Sequence, residues 1–345
     1  MLTFTKLLIL KNNINIFIFL LLAVVIGYLV YTDFINPKPI EKTEIILSYG
    51  VPELVIPDTV MFAGERVPLE IPDVHERLDR ELHVNTFWHS NTIFLLKRGH
   101  RWLPDIKMEF EKVGVPSDLM YLSVIESDLQ NKISPSNAVG FWQLLKGTAK
   151  DFRLEVTNEV DERYHPMKST DAAAIYLRKA YQKFGSWTNA AASYNIGRRG
   201  LDRALTKQAV TSYYDLLLGE ETSRYVFRAI AIKLIFEHPE KYGFNFSEAH
   251  LYQKEDLEEI EITETIKNLR DWAFENNINY KQLKRYNPWL RRNSLTVRRG
   301  KSYIFQIPKY DKTPVIIADT TSILVEEDTL NPDVRELPTE PEDGL

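Results

Sequence analysis

A single acidic side chain follows a run of apolar residues near the middle of the 345-residue chain. The apolar positions recur at helical spacing from Leu119 to Ile125, and Glu126 comes directly after them. An ionised carboxyl group is costly among apolar side chains, so its pKa is expected to rise until it stays protonated near neutral pH. A protonated carboxyl can give its proton to a leaving group, as the general acid of a glycosidase does. Glu126 is therefore a candidate general acid; the alternative is a surface glutamate at a helix end.

The residues after Glu126 have the composition of a turn beside a binding groove. Ser134 to Gly140 are mostly small or turn-forming residues, which let a bulky substrate approach closely. Phe141 and Trp142 can stack on sugar faces, and the Gln143 amide can hydrogen-bond hydroxyl or N-acetyl groups. The alternative is that Trp142 belongs to the core.

Helices are expected to position these residues. Ser117 is predicted to cap the Glu126 helix, and Asn131 and Pro135 to mark its end. Helical patterns dominate from His75 to Tyr242. Further predicted boundaries are a break at Pro104, a stop at Gly114, a cap at 169–171 with a stop at Gly185, a helix over Trp187–Gly197, and another over Glu221–Glu237.

The C-terminal part changes character. Residues 251–308 contain LEEIEIT, IKNLRDWAFENNI, NYKQLKRYNPWL and KSYIFQIP, which predict strand, helix, helix and strand in a small α+β module at 250–309. Residues 313–345 are acidic and dotted with prolines, which predicts a disordered tail.

The N-terminal part carries an export signal. Residues 14–31 are apolar and uncharged, and roughly 18–20 such residues span a bilayer. Lys6 and Lys11 precede them, so residues 1–13 are expected to be cytoplasmic and the remainder to lie outside the cytoplasm. A retained transmembrane anchor is favoured over a cleaved signal peptide. The proline-rich residues 32–73 predict an extended linker.

Composition excludes several function classes. The formal net charge of −5 and the lack of a basic block argue against nucleic acid as a partner. The chain has no cysteine, which excludes disulfides, thiolate nucleophiles and Cys-zinc sites. The histidines show no compact ligand spacing; His83 and His89 are expected to be surface or packing residues. The sequence thus predicts neither a metal nor a cofactor.

Several ordered blocks carry a resemblance to a known family. They are Glu126–Ala149, Ala191–Gly197 (AASYNIG) and Glu221–Val226 (ETSRYV), joined by Val160–Pro166 (VDERYHP) and Phe62–Glu70 (FAGERVPLE). The first three resemble the soluble lytic transglycosylase (SLT) domain, which has a goose-type lysozyme-like fold. The last two are similar to its membrane-bound lytic transglycosylase D branch. The resemblance implies a mainly α fold with a lysozyme-like catalytic domain at 74–243.

The same resemblance implies the chemistry. Glu126 would protonate the glycosidic oxygen between N-acetylmuramic acid and N-acetylglucosamine in peptidoglycan. As a carboxylate it would then accept the proton of the C6 hydroxyl, whose attack leaves a 1,6-anhydromuramoyl end, so no second catalytic carboxylate is needed. Tyr194 is also expected to hydrogen-bond near Glu126. The implied substrate-binding residues are Ser134, Gln143, Tyr194, Asn195, Glu221 and Tyr225. For Tyr194 and Asn195 the alternative is a core tyrosine and a helix-end asparagine, and Glu221 and Tyr225 are either structural or in contact with the peptide stem.

This chain departs from the family pattern at two places. The usual Gln-Phe-Met-Pro reads Gln143-Leu144-Leu145-Lys146, which loses a helix-opening proline. Asn137 stands where glycine is usual, and asparagine tolerates a left-handed backbone, so the turn should persist.

The C-terminal module resembles a LysM-type βααβ glycan-binding module through Asn277–Leu290 and Gly300–Pro308. The usual Gly-Asp-x-Leu reads Glu264–Lys267 here, so the fold is expected more firmly than glycan affinity. A basic cluster from Arg291 to Lys301 is interpreted as a solvated face or as a contact to anionic wall polymer.

Three functions remain open on the sequence. The favoured one is a transglycosylase that is anchored in the bacterial cell envelope, with its catalytic domain in the periplasm. Its expected partners are peptidoglycan glycan strands, the membrane, and cell-wall synthesis or division proteins. The alternatives are a hydrolytic muramidase on the same fold and a non-catalytic peptidoglycan-binding scaffold.

Overall fold

The structure is a computed structural model that describes residues 17–28, 31 and 53–309. Residues 17–28 are helical. Within the described ranges, no helix combines the length and the apolar character needed to cross a membrane. The expected anchor at 14–31 is only partly described. The predicted segments 1–13 and 313–345, and residues 32–52 of the predicted linker, lie outside the described residues.

The main unit begins at Leu54. Its strands and helices in chain order are β1 (Met61–Phe62), β2 (Glu65–Arg66), α1 (Pro72–Phe87), α2 (His89–Lys112), α3 (Tyr121–Ser127), α4 (Lys146–Asp151), α5 (Pro166–Phe184), α6 (Trp187–Ile196), α7 (Arg198–Gln208), α8 (Glu220–Glu237), β3 (Leu257–Ile262), α9 (Leu269–Glu275), α10 (Tyr280–Tyr286) and β4 (Tyr303–Pro308). The predicted fold class, mainly α with a small α+β module, is confirmed.

The helical body packs around α8. This helix contacts α1, α3 and α6, and residues along most of its length are buried. Alanine predominates where α5 and α6 meet: Ala172–Ala174 and Ala190–Ala192 are at most 2% exposed. Small side chains allow the helix axes to approach closely at a density that leaves few voids.

Residues 60–66, which were predicted to be part of an extended linker, instead belong to this body. Strands β1 and β2 form an antiparallel hairpin, and Phe62 is fully buried. The carboxylate of Glu65 accepts hydrogen bonds from the backbone amides of Trp187 and Thr188, at 2.5 and 2.9 Å. It therefore satisfies free amides at the N-terminus of α6, where negative charge is favourable.

The predicted boundaries at Pro104 and at 169–171 are wrong. Helix α2 continues through Pro104, because Leu103, Ile106 and Phe110 on its core face are buried and their packing outweighs one missing hydrogen bond. Helix α5 begins at Pro166 after His165, and not at the predicted cap of 169–171. Proline suits a first helical turn, where its amide would lack a partner.

Other predicted boundaries are confirmed. Gly185 ends α5 in the left-handed region with φ of 68°, and Gly197 follows the last residue of α6. Helix α8 starts one residue before the predicted Glu221 and ends at Glu237.

The C-terminal module has the predicted order of strand, helix, helix and strand. Strands β3 and β4 pair antiparallel, with Ile260 opposite Phe305. Phe305, Leu269 and Leu283 are fully buried between this ribbon and α9 and α10. The same apolar cluster also contains Val139, Val160 and Tyr164 from the helical body.

Candidate active site

Glu126 lies near the end of the short helix α3. A 3-10 turn over Ser117–Met120 leads into this helix, and Asp128 ends it with a left-handed backbone, φ 56°. The predicted cap at Ser117 is wrong, because Pro116 holds the N-cap position of the turn without a side-chain hydrogen bond. The helix also ends well before the predicted Asn131. It is held in place by burial, since Leu119, Leu122 and Val124 are fully buried.

The Glu126 carboxyl group is hydrogen-bonded to a tyrosine of α8. The Tyr225 hydroxyl donates to Glu126 Oε1 at 2.6 Å. Burial raises the pKa of Glu126 to about 7, while the Tyr225 hydrogen bond and the positive charge of Arg228 oppose this rise. The charge of Glu221 adds a further increase in the pKa. At neutral pH the protonated and ionised forms are therefore both populated.

Tyr194, which was expected to hydrogen-bond near Glu126, has a backbone oxygen as its partner. Its hydroxyl donates to the backbone oxygen of Trp142 at 2.8 Å. It is nevertheless close enough that burial and the Glu126 charge both raise the Tyr194 pKa. Tyr225, for which a structural role and a substrate role were both open, is the direct partner of the acid.

The turn after Glu126 is a tight structure that carries Ser134. Isolated bridges join Val139 to both Ile133 and Leu144. Ser134 Oγ accepts a hydrogen bond from the Ala138 amide at 3.0 Å. Asn137 adopts the left-handed conformation with φ of 61°, which confirms that the turn tolerates asparagine there.

Trp142 is a core residue, so its predicted stacking on sugar is wrong. The side chain is fully buried, and its Nε1 donates to Thr170 Oγ1 at 2.8 Å. Phe141 is also buried. Gln143, which was expected to bind substrate, donates its amide to the backbone oxygens of Gly140 and Lys132, at 2.9 and 3.2 Å. Its amide nitrogen thus hydrogen-bonds the turn itself.

Asn195 and Glu221 come together at the contact of α6 with α8. Asn195 Nδ2 donates to Glu221 Oε1 at 3.1 Å, and Thr222 Oγ1 donates to Asn195 Oδ1 at 2.7 Å. Glu221 is exposed. This pair therefore presents polar atoms to solvent beside the acid that the Glu221 charge influences.

A cavity of about 480 Å³ lies beside α3, and sequence reasoning missed it. Its lining includes Ile125, Trp88 and Arg228. Arg228 donates to the backbone oxygen of Ile125 at 3.0 Å. The lining also includes Glu81, which is 1% exposed and accepts a hydrogen bond from Arg224 Nε at 2.6 Å. In the sequence, Glu81 could have been noticed as a charged residue at a helix position that is otherwise apolar. Its partner, Arg224, could not have been identified in the same way, because it lies 143 residues away.

The comparisons with known proteins agree with this geometry. Residues 106–216 match the family described as Transglycosylase SLT domain, and residues 258–311 match the Soluble lytic transglycosylase C-terminal LysM-like domain. The chain therefore contains an SLT domain followed by a LysM-like domain. Glu126, the turn and Tyr194 lie inside the first match, whereas Tyr225 lies beyond it.

Individual relatives match over part of their length. Two Escherichia coli proteins, from strains K12 and O6:H1, are named Membrane-bound lytic murein transglycosylase D; each is 26% identical over 195 residues, or 54% of this chain. This chain covers 42% of those relatives. A Putative tributyltin chloride resistance protein of an Alteromonas species is 32% identical over 111 residues, which cover 32% of this chain and 54% of that protein.

Proposed function

We propose that the protein is a peptidoglycan lytic transglycosylase that cleaves the β-1,4 bond between N-acetylmuramic acid and N-acetylglucosamine. The observation that carries the proposal is a carboxyl group with a pKa of about 7, set inside an SLT domain and directly after Ile125, which lines a cavity of about 480 Å³. General acid–base catalysis works best when the pKa of the group is near the working pH.

The proposed mechanism uses one carboxyl group twice. Protonated Glu126 gives its proton to the glycosidic oxygen as the bond to C1 breaks. The resulting carboxylate accepts the proton of the muramoyl C6 hydroxyl, whose oxygen bonds to C1 and closes the 1,6-anhydro ring. Tyr225 stabilises the intermediate carboxylate through its hydrogen bond. Because the nucleophile belongs to the substrate, the second carboxylate of ordinary glycosidases is not needed.

The other predicted site residues have two roles in this proposal. Ser134, Asn195 and Glu221 contact the glycan, since part of their polar surface faces solvent near the acid. Gln143 and Tyr194 instead hold the turn in place, since they donate to backbone oxygens.

The proposed location is the periplasmic side of a membrane in the bacterial cell envelope, with residues 14–31 as the anchor. Two things support it: the uncharged, mostly apolar sequence of this segment, and relatives that are named membrane-bound. Glycan strands are the proposed substrate, and wall-synthesis or division proteins the proposed partners. Alkaline washing of membranes tests the anchor: the full chain should stay in the pellet, and recovery in the wash would contradict anchoring.

The variant Glu126→Gln tests the catalytic role. It should lower cleavage of purified peptidoglycan by about 10²–10⁴-fold, because glutamine has no proton to transfer, while sedimentation with insoluble peptidoglycan is retained. Glu111→Gln, which makes the same change at an exposed position of α2, is the matched control.

Mass spectrometry of the products separates the three functions. Anhydro ends, lighter by one water than reducing ends, support the transglycosylase. Reducing ends identify a hydrolytic muramidase. Binding without any product from the natural sequence identifies a scaffold, and unchanged digestion by Glu126→Gln contradicts the role of this residue.

A further inference from the structure

The segment from Glu159 to Tyr164 lies between the LysM-like module and the turn beside Glu126. On the module side, Val160 forms a β-bridge with Leu290. The Asp161 amide donates to the Trp289 oxygen at 2.9 Å, and the Arg291 amide donates to the Glu159 oxygen at 2.7 Å. The module is thus joined to this segment by backbone pairing.

Side chains reinforce the same contact. Val160 and Tyr164 are buried within the apolar core of the module, and the Arg291 guanidinium lies 3.9 Å from the centre of the Tyr164 ring. The Glu159 carboxylate accepts from Ser294 Oγ and from the Thr296 amide, at 2.8 and 3.0 Å. Both apolar and polar contacts therefore fix the module against this segment.

On its other side, the segment holds the turn. Arg163 is buried and pairs with Asp161 through two hydrogen bonds of 2.9 and 2.7 Å. The remaining guanidinium nitrogen of Arg163 donates to the backbone oxygens of Asn137 and Leu144, both at 3.1 Å. The planar guanidinium group of Arg163, which has only hydrogen-bond donors, thus connects the backbone of the turn at Asn137 with its backbone at Leu144.

The turn is linked in the same way to the module and to the acid. Val139, at its centre, is buried in the core of the module. At its other end, Ser127 Oγ on the Glu126 helix donates to the Phe141 oxygen at 2.8 Å. A continuous set of contacts therefore runs from the module to the residue next to Glu126.

We infer that the LysM-like module positions the active-site turn, through Asp161 and Arg163. These two are positioning residues, since they act on Ser134 and Gln143 through the backbone of the turn. The VDERYHP block, which had no role in the catalytic proposal, receives one here. The effect on catalysis depends on the proposed function, whereas the effect on the turn does not.

Hydrogen–deuterium exchange on the full chain tests the Arg163 link. Arg163→Lys keeps the positive charge but loses the planar guanidinium group with its several donors. In this variant the amides of residues 132–144 should exchange at least about tenfold faster, while α8 stays protected. Cleavage assays should show a lower kcat and a higher KM. Arg203→Lys, at an exposed position of α7, is the matched control.

Variants at the module contact test the longer connection. Glu159→Gln and Leu290→Ala, both at the contact of the module with residues 159–164, should each accelerate exchange in residues 132–144. Glu275→Gln, at an exposed position of α9, should leave that exchange unchanged.

Unchanged exchange of the turn in both contact variants overturns the inference, even if Arg163→Lys fails to fold. An unfolded module beside a protected turn overturns it as well. Exchange is measured without substrate, so a chain that cleaves no peptidoglycan refutes the proposed function alone.

Discussion

Two features of its surroundings shift the pKa of Glu126 in opposite directions. Apolar surroundings favour the neutral acid, and the Tyr225 hydrogen bond favours the carboxylate. In the proposed mechanism Glu126 first donates a proton and then accepts one, so both its protonated and its ionised form must be populated. The pairing of burial with a single hydroxyl donor supplies this balance near neutral pH.

Removing the hydroxyl should shift the pH profile. Tyr225→Phe takes away a hydrogen bond that lowers the pKa of Glu126, so the pKa should rise above about 7. Because the cleavage step needs the protonated acid, the alkaline limb of kcat/KM should move to higher pH. The profile of Tyr181→Phe, whose ring packs on Trp187 away from the acid, should not move. A shift of the Tyr225→Phe limb to lower pH would contradict this assignment.

Glu126 should also cost stability at alkaline pH. Its pKa is raised in the folded protein from 4.5 to about 7, so the native state binds this proton more tightly than the unfolded state. The resulting stabilisation is complete below the unfolded pKa of 4.5 and is lost as pH rises through about 7. Going from pH 4 to pH 8, Glu126→Gln should gain on the order of 2–3 kcal/mol relative to the natural sequence.

Urea unfolding of both proteins at the two pH values measures this difference. Equal pH dependence in the two proteins would mean that the carboxyl group is not desolvated. Glu111→Gln again serves as the control, since it makes the same change at an exposed position of α2.

Among the elements, the turn between α3 and α4 is the most constrained. Gly140 has φ of 84°, and a Cβ atom there would lie 2.0 Å from the Arg163 backbone oxygen. Asn137 also has positive φ, but its side chain is exposed. The two left-handed positions therefore differ in the space around them.

Substitutions at these two positions should have different effects. Gly140→Ala should lower the free energy of unfolding by about 3 kcal/mol or more, because strain and overlap with backbone add together. Asn137→Gly should stay within about 1 kcal/mol of the natural sequence. Chemical denaturation checks both values, and a Gly140→Ala variant of natural stability would mean that the turn relaxes easily.

The sequence predicted where helices begin and end better than it predicted which side chains contact each other in the fold. Gly185 and Gly197 were predicted as helix ends because glycine adopts the positive φ found at both positions, and this preference is a local property. By contrast, the environment of Trp142 depends on Thr170 and on Phe110, which lies across the core. Pro104 was misjudged for the same reason, because packing of α2 decides over local preference.

The candidate site shows the same division. The raised pKa of Glu126 follows from its apolar neighbours in sequence and was predicted. Its hydrogen-bond partner was not identified, since Tyr225 is 99 residues away. Resemblance brought Tyr225 into the site, but only the fold shows which tyrosine reaches the acid.

In the whole molecule, the helical body and the LysM-like module share one apolar cluster. Composition divides the chain near residue 250, yet Val139 and Val160 are buried with Trp289 and Leu290. Contacts between residues this far apart produce no periodic pattern in the sequence. The sequence therefore suggested that the module is more independent of the helical body than it is in the fold.

The two parts should therefore unfold together. We expect one calorimetric transition for the main unit, with tryptophan fluorescence and circular dichroism giving the same midpoint. Leu290→Ala should lower that single midpoint, because it removes buried contacts on both sides. Two separate transitions in the natural protein would contradict a shared core.

The alanine-lined contact of α5 and α6 has a consequence for the substrate. Helix α6 in turn contacts α8, which carries Tyr225, the partner of the acid. Enlarging one of these alanines would overpack the contact. If the proposed cleavage is correct, any distortion of the sugar ring toward its reactive form takes place against this closely packed support.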